Sequence, residues 1–360
     1  LDLFGGTGPS LSCRNFALNA RIFSLSDGAL WNTFLKYFES GPCQQFDYVA
    51  AYSKFEGNGR PYMFAVEDNG KKFAHIFIKY RSRHFDTSKQ SSLDVSDISS
   101  PYGYASALST SLDESFLVEC WNLFDDWTSQ ESIICEFFRG PPVQDFQCIV
   151  HPDMKLEYNR LSSSIDCKLS DRDYLSAIKQ KQRNMIRRAI KENCEIVRCS
   201  LSEALPWFEP WYRQIMNKVS APDRFYYDNE YFRRLQNLAE NLVVVSVETG
   251  NKRLAAAIVI FGTQYNLYHL SVTNPDYSLN YASPFLVYGC KQVSSERNRK
   301  PLVLGGGRTT DGGDSLFRFK ESMGTQVSSY DIGTRVIDSD MYEKLRSLYG
   351  SNDSKLIFYR

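Results

Sequence analysis

The sequence predicts a mixed α/β fold in which one order of strands and helices is used twice. Three features predict it. Short apolar runs rich in β-branched and aromatic residues are joined by Asx-Gly turns, the mark of antiparallel hairpins. Between them lie segments with helical apolar spacing and helix-capping residues. The order strand, helix, helix, three strands, helix, strand, helix, strand runs from residue 195 to 331, and a reduced version precedes residue 169. Hairpin strands followed by a helix-linked strand give a mixed, splayed sheet.

In order along the chain, residues 1–18 read as a poorly ordered leader. Arg21 to Leu25 reads as a strand, and Asp27 caps a helix from Ala29 to Glu39, which Gly41-Pro42 ends. Phe46 to Tyr52 reads as a strand, with a turn at Gly57-Asn58-Gly59. Tyr62 to Val66 and Phe73 to Tyr80 form a hairpin around Asp68-Asn69-Gly70. A polar loop is expected from Ser82 to Ser100, then a helix from Leu112 to Trp127 and a strand from Ile133 to Phe138. Strands near Phe146 to Val150 and Ser163 to Leu169 close the first unit. Ser170 and Asp173 resemble a capping box that opens one long helix. Strands follow at Glu195–Cys199, Leu242–Val247, Leu254–Phe261, Tyr265–Val272, 302–304 and Thr325–Asp331. The intervening helices are expected at Leu201–Asn217, Asn229–Asn241, Pro284–Glu296, 315–323 and Asp340–Leu348. The units are thus expected at 19–169 and 194–350, joined by a basic helix at 170–193.

Composition excludes several classes. Lys+Arg and Asp+Glu both number 42, so no whole-protein basic field for DNA exists and any anion site must be local. No apolar run has the length of a membrane span, and the N-terminus lacks the pattern of a signal peptide. The nine cysteines form no C-x-x-C pair, and the four histidines show no metal-ligand spacing. Scattered cysteines in apolar surroundings suit a reducing cytoplasm. No metal and no cofactor is expected.

Two stretches carry chemistry. In Pro301 to Gly324, a buried strand runs into Gly305-Gly306-Gly307, then a short helix capped at Asp314 or Ser315 carries Phe317, Arg318, Phe319 and Lys320. A lysine fixed on a rigid turn beside a glycine loop can neutralise negative charge in a transition state; otherwise it is a solvated lysine at a corner. Between Lys179 and Lys191 every charge is positive, Lys181, Arg183, Arg187 and Arg188 among them. That face either docks phosphates or is simply solvated.

The segment Asp97-Ile98-Ser99-Ser100-Pro101-Tyr102-Gly103-Tyr104, the basic run Lys181 to Lys191, Leu304-Gly305-Gly306-Gly307 and Leu316-Phe317-Arg318-Phe319-Lys320 occur in that order. Together with the doubled topology they resemble the FemABX aminoacyltransferases, whose fold is two tandem GNAT-like modules. Phe138-Arg139 and His151-Pro152 match that family only loosely, and its long helical arm has no counterpart after Met216. The resemblance implies transfer of an activated acyl group to a primary amine of a cell-wall or polysaccharide precursor, carried on a nucleotide or a lipid. Its donor would be an aminoacyl-tRNA or an acyl carrier. It places Lys320 near the reacting carbonyl, and Tyr102, Tyr104, Gly306, Gly307, Arg308 and Phe319 along the substrate groove.

Amide formation from an ester or thioester requires a deprotonated amine, a stabilised oxyanion and alignment. Lys320 suits the oxyanion. His269, in Tyr268-His269-Leu270, is a candidate base or a satisfied core histidine; Asp311 and Asp314 are candidate bases or turn and cap residues. Substrate-assisted proton loss is a further route. Tyr227 is a candidate lining residue of the acceptor groove, and Arg224 a candidate contact to a nucleotide diphosphate. After the second-unit strand, Thr273 to Asn280 holds no glycine, unlike the pyrophosphate loop of coenzyme A-dependent acetyltransferases. Two other readings stay open: a coenzyme A- or carrier-dependent N-acyltransferase acting on an amino sugar or amino acid, and a catalytically silent binding module.

Overall fold

The computed structural model describes residues 19–55, 59–86, 91–143, 148–277, 279–309, 313–349 and 355–359. The expected leader, the turn at Gly57-Asn58, residues 146 and 147 of the strand expected near 146–150, and Asp311 lie outside the described residues. The chain first forms β1 (Asn19–Phe23), α1 (Gly28–Leu35), α2 (Phe46–Phe55), β2 (Arg60–Asp68), β3 (Lys71–Asp86), β4 (Ser91–Ser99) and β5 (Leu108–Ser109). Then come α3 (Glu114–Gln130), β6 (Ile133–Arg139), β7 (Lys155–Ile165), α4 (Asp171–Ala177) and α5 (Gln180–Lys191). The second half holds β8 (Glu195–Cys199), α6 (Leu201–Lys218), α7 (Asn229–Leu235), β9 (Leu242–Thr249), β10 (Lys252–Ile260), β11 (Asn266–Thr273) and α8 (Ala282–Arg297). It ends with β12 (Leu302–Gly305), α9 (Ser315–Met323), β13 (Gln326–Val336) and α10 (Ser339–Tyr349).

One sheet unites them, in the order β1-β2-β3-β4-β6-β13-β7-β12-β11-β10-β9-β8, with β5 beside β3. From either end the sheet reads alike. Four strands run antiparallel, and the fifth lies parallel to the fourth: β6 beside β4, β12 beside β11. At the centre the two halves exchange strands. The late strand β13 pairs with β6 of the first half, and β7 pairs with β12 of the second. β13 and β7 pair with each other across the junction.

Several elements depart from the sequence expectation. The described part of the strand expected near Phe146–Val150 is an isolated bridge of Ile149 to Ala107, and the strand expected at Ser163–Leu169 lies instead at Lys155–Ile165. Phe46–Phe55 is a helix, not a strand. Its apolar residues run on nearly without break, so period alone is ambiguous, and Tyr48, Ala51, Tyr52 and Phe55 share one face at helical spacing. The expected loop 82–100 is the end of β3 paired with β4; Leu93 and Val95 point inward, and cross-strand Arg81 pairs with Asp94. The long helix after Ser170 breaks at Ile178, which turns extended and buries its side chain while Lys179 N–H donates to Ser322 O at 3.2 Å. Its Ser170 cap is present, accepting from Asp173 N–H. Finally, the Asn229 helix ends at Leu235 and continues only as a 3₁₀ turn to Asn241.

On one face of the sheet, α1, α2, α6 and α7 pack into a core that draws on both halves, including Tyr48, Tyr52, Ile78, Phe208, Tyr231 and Ile258. On the other face α3 covers the first half through Phe116, Trp121 and Phe124, and α8 with α4, α5 and α9 covers the second. Lys291 of α8 is 2% exposed, with Nζ donating to Leu169 O at 2.7 Å and to Asp171 Oδ1 at 2.8 Å. Tyr288 and Gln292 donate to the other carboxylate oxygen. Asp171→Ala leaves that buried ammonium without its counter-charge. We expect a loss of about 2 kcal/mol in urea unfolding, below the range for a fully buried pair because Asp171 is half exposed. Adding Lys291→Met should restore part of that loss; a double variant weaker than the single would refute the pairing argument.

Candidate functional site

β12 is buried along its length and ends at Gly305, whose φ of +84° turns the chain out of the sheet at a position where an L side chain is strained. Gly306 then passes β7 so closely that a Cβ would lie 2.7 Å from Leu161 O. Asp314, the cap of α9, holds the loop at both ends. Oδ1 accepts from Leu316 and Phe317 N–H at 2.8 and 3.0 Å, and Oδ2 accepts from Arg308 and Thr309 N–H at 2.9 and 3.3 Å. Burial pushes this carboxyl up, but those four donors outweigh it and hold it below the usual range.

On α9, Lys320 is half-buried and folds back over the loop, its Nζ donating to Gly306 O at 3.0 Å. Burial lowers its pKa to about 8, against the opposing charge of Asp314. Ser163 Oγ of β7 donates to Lys320 O at 3.0 Å and anchors the helix. A Cβ on Gly305 would lie 3.4 Å from Lys320 Nζ and 3.5 Å from the Tyr104 hydroxyl, so the two groups face one spot. Tyr104 is set by its carbonyl, which accepts from Tyr265 OH at 3.1 Å, and by an edge-on ring contact with Tyr330 at 5.1 Å. Burial, then the neighbouring Tyr330 and Tyr102, push its hydroxyl well up, so it remains a donor. Arg139, at the end of β6, lies over the Tyr102 ring at 5.2 Å, and Arg160 of β7 donates to Gly307 O at 3.1 Å.

His269 lies elsewhere. β11 and β12 pair only at Asn266 with Leu302 and Leu267 with Val303, then part. His269 follows just beyond, inside an aromatic cluster. Its Nε2 is 2.6 Å from Tyr231 OH and its ring is edge-on to Tyr48 at 5.6 Å. Burial drives its pKa down to about 3, so it is neutral near pH 7 and a weak proton acceptor. Tyr227 belongs to the same cluster, 2% exposed, with its hydroxyl 2.5 Å from that of Tyr52. Tyr102 joins the two groups: it stacks on Tyr52 at 5.3 Å and carries Arg139 on its ring. Arg224 is exposed at the rim, over Phe225, which meets the Tyr102 ring edge-on at 6.1 Å.

The structure therefore brings together Lys320, Tyr104, Gly306 and Gly307, with Tyr102 as their link to His269 and Tyr227. The Arg308 side chain is exposed, and Phe319 packs into the core beneath α8, with Tyr268. The basic helix is a separate surface. A cavity of about 540 Å³ there is lined by Arg172, Arg183 and Arg187 with Leu175, Ser176, Gln180 and Asn184. Arg183 donates to Leu175 O at 2.9 Å, Arg188 lies over Tyr281 at 5.2 Å, and Lys181 is exposed. This helix is tied to α9 by Gln182, which donates to Ser322 Oγ at 2.7 Å, and by Lys179 N–H, which donates to Ser322 O at 3.2 Å. Arg160 and Tyr330 escape sequence reasoning altogether, because only strand exchange brings them to the loop. Arg139 had a signal, the Arg-Gly-Pro that ends β6.

No family model matches the chain, and no curated protein matches it by sequence. Solved structures do match. FemX aligns over 88% of this chain and 98% of its own, with a TM-score of 0.66 at 12% identity. The C-terminal domain of a candidate lysylphosphatidylglycerol synthetase from Agrobacterium fabrum aligns over 89% of this chain and 95% of its own, with a TM-score of 0.57 at 11% identity. A Bacteroides thetaiotaomicron protein of unknown function aligns over 87% and 97%, with a TM-score of 0.53 at 13% identity. The expected doubled, GNAT-like α/β fold is borne out. Among the described residues no helix is long and apolar enough to cross a membrane.

Proposed function

We propose that this chain, which has the fold of FemX, joins an activated acyl or aminoacyl group to a primary amine as an amide. The observation that carries the reading is the Lys320 ammonium, held on the Gly306 carbonyl beside the Tyr104 hydroxyl at the sheet's central junction. In the proposed step the amine nitrogen attacks the acyl carbonyl carbon. The carbonyl oxygen takes negative charge, and Lys320 and Tyr104 stabilise it as donors. The C–N bond forms, the ester C–O bond breaks, and the departing alkoxide takes the amine proton. No side-chain base is needed, which agrees with a His269 whose pKa is near 3.

The donor we favour is an aminoacyl-tRNA, with its phosphates on Lys181, Arg183, Arg187 and Arg188. The arginine-lined cavity and its tie to α9 support this. The acceptor we favour is the amine of a cell-wall or polysaccharide precursor, in the cytoplasm. One structural neighbour is named as a domain of a lysylphosphatidylglycerol synthetase, a name in keeping with an aminoacyl group.

The test offers labelled aminoacyl-tRNA and labelled acyl-coenzyme A separately and reads both filter retention and amide formation with a panel of amines. Retention of the RNA should fall steeply as salt rises, since several phosphate contacts are lost together. A flat salt response removes tRNA, and retention of the thioester alone moves the donor to coenzyme A.

A further inference from the structure

We propose that Arg139 and Arg160 form a seat for an oxyanion, carboxylate or phosphate, borne by the amine substrate beside Lys320. The inference rests on the acyl-transfer reading for its purpose, but its evidence is independent of that reading.

The ladder places the two arginines. β13 lies between β6 and β7, with Ile332 opposite Arg139 and Tyr330 opposite Arg160. Directly opposed residues share a face, and so do Tyr330 and Ile332, two apart on one strand. Both guanidinium groups therefore rise on the face of Tyr330, flanking it. The pairing slips between Tyr330 and Asp331, so that Asn159 is left over on β7. Such a bulge re-aims a side chain, here Arg160, toward the glycine loop.

The charges around the seat do not balance. Arg160 is held by neutral oxygens, Gly307 O at 3.1 Å and Asn159 Oδ1 at 2.7 Å. Arg139 lies over two ring faces, Tyr102 at 5.2 Å and Phe137 at 5.5 Å. Lys320 is held by the Gly306 carbonyl. Among the described residues no carboxylate pairs with any of the three, while arginines elsewhere in the chain, such as Arg198, Arg253 and Arg335, do have carboxylate partners. Asp314, the nearby acid, has both oxygens committed to backbone N–H groups. The three cations rest on rings and carbonyls, and a bound oxyanion would supply a counter-charge that pairs with them directly. Guanidinium forks match carboxylate and phosphate oxygens in pairs, and the Tyr104 and Tyr330 hydroxyls, 8% exposed residues both, add neutral donors. Arg160 and Lys320 hang from consecutive carbonyls, so a bound oxyanion would hold its own amine next to the ammonium.

Calorimetric titration of the full chain with N-acetylglycine and, separately, with inorganic phosphate tests this without any acyl donor. The wild-type chain should bind at least one probe, and the tighter one names the oxyanion. Arg139→Gln and Arg160→Gln should each weaken it about tenfold or more, as expected for lost charge-assisted hydrogen bonds. Arg139→Lys, which keeps the charge, should lose less than Arg139→Gln. Circular dichroism reports whether each variant is folded, and the lysine variant serves if the glutamine variant is not. Absence of binding by the wild type overturns the proposal. So does unchanged affinity in the double glutamine variant, or loss of binding through Arg187→Gln on the basic helix instead. Failure of acyl transfer would leave these binding results as they stand, so the two readings fail separately.

Discussion

Lys320→Ala is expected to lower amide formation by about 10²–10³-fold, the scale for removing one preorganised oxyanion donor. The loss should fall on kcat, since the ammonium meets negative charge that exists only as the carbonyl is attacked. The pH profile is the sharper part. Lys320 is charged below its pKa of about 8 and loses that charge above it. Its contribution to rate is therefore full below pH 8 and declines as pH rises beyond. Lys320→Arg keeps a cation through that range, so the decline should vanish while some rate survives. Deprotonation of the acceptor amine affects both proteins alike and cancels in the comparison. Stability should move the other way. Because the folded pKa lies below the ordinary lysine value, the unfolded chain binds more protons between about pH 8 and 10.5, and stability rises with pH across that window. At pH 7 the buried ammonium is thus a cost, and the alanine variant should unfold at equal or higher urea. Unchanged amide formation in Lys320→Ala would end the role of Lys320 as an oxyanion donor.

Local signals made some elements legible to the residue. β8 runs from Glu195 to Cys199 and α9 from Ser315 to Met323, as the strand period and the Asp314 cap dictate. Phe46–Phe55 failed because a helix buried on most sides shows no polar face, and its period is then hidden. β4 failed because Ser91 to Ser99 is rich in serine and aspartate; it pairs with an extended β3, and neither polarity nor length announces that. The glycine loop, Lys320, Tyr102 and Tyr104 were visible as motifs. Arg160 and Tyr330 were not, for they reach the loop from strands that sequence order assigns to different units. Arg160 bonds a residue 147 positions away. Strand exchange is a choice of partner among similar strands, and no single run of residues encodes it.

Phe124→Ala should cost about 3–5 kcal/mol, the range for truncating a fully buried aromatic. Phe124 is 0% exposed on α3, and its ring meets Phe64 at 5.2 Å, His75 at 4.9 Å, Phe77 at 5.7 Å, and Trp121 and Trp127 at 5.8 Å each. So many walls, several of them rings that tile against one another, cannot all collapse into the space, and the cavity term adds to the lost transfer energy. The exchanged strands decide how far that loss spreads. β13 comes from the chain's end yet completes the first half, and β7 completes the second. Unfolding the first half, β7 with it, strips β13 of both its partners and leaves β12 with an open edge, so the halves should unfold together. Hydrogen exchange can read this. The slowest amides of β9 and β10, in the half that Phe124 does not touch, should lose the same protection free energy as those of β2 and β3. If β9 and β10 keep wild-type protection, the halves are independent units and the central exchange does not couple them. Helix α9, which carries Lys320, would then be held by the second half alone, and substitutions under α3 would leave acyl transfer intact.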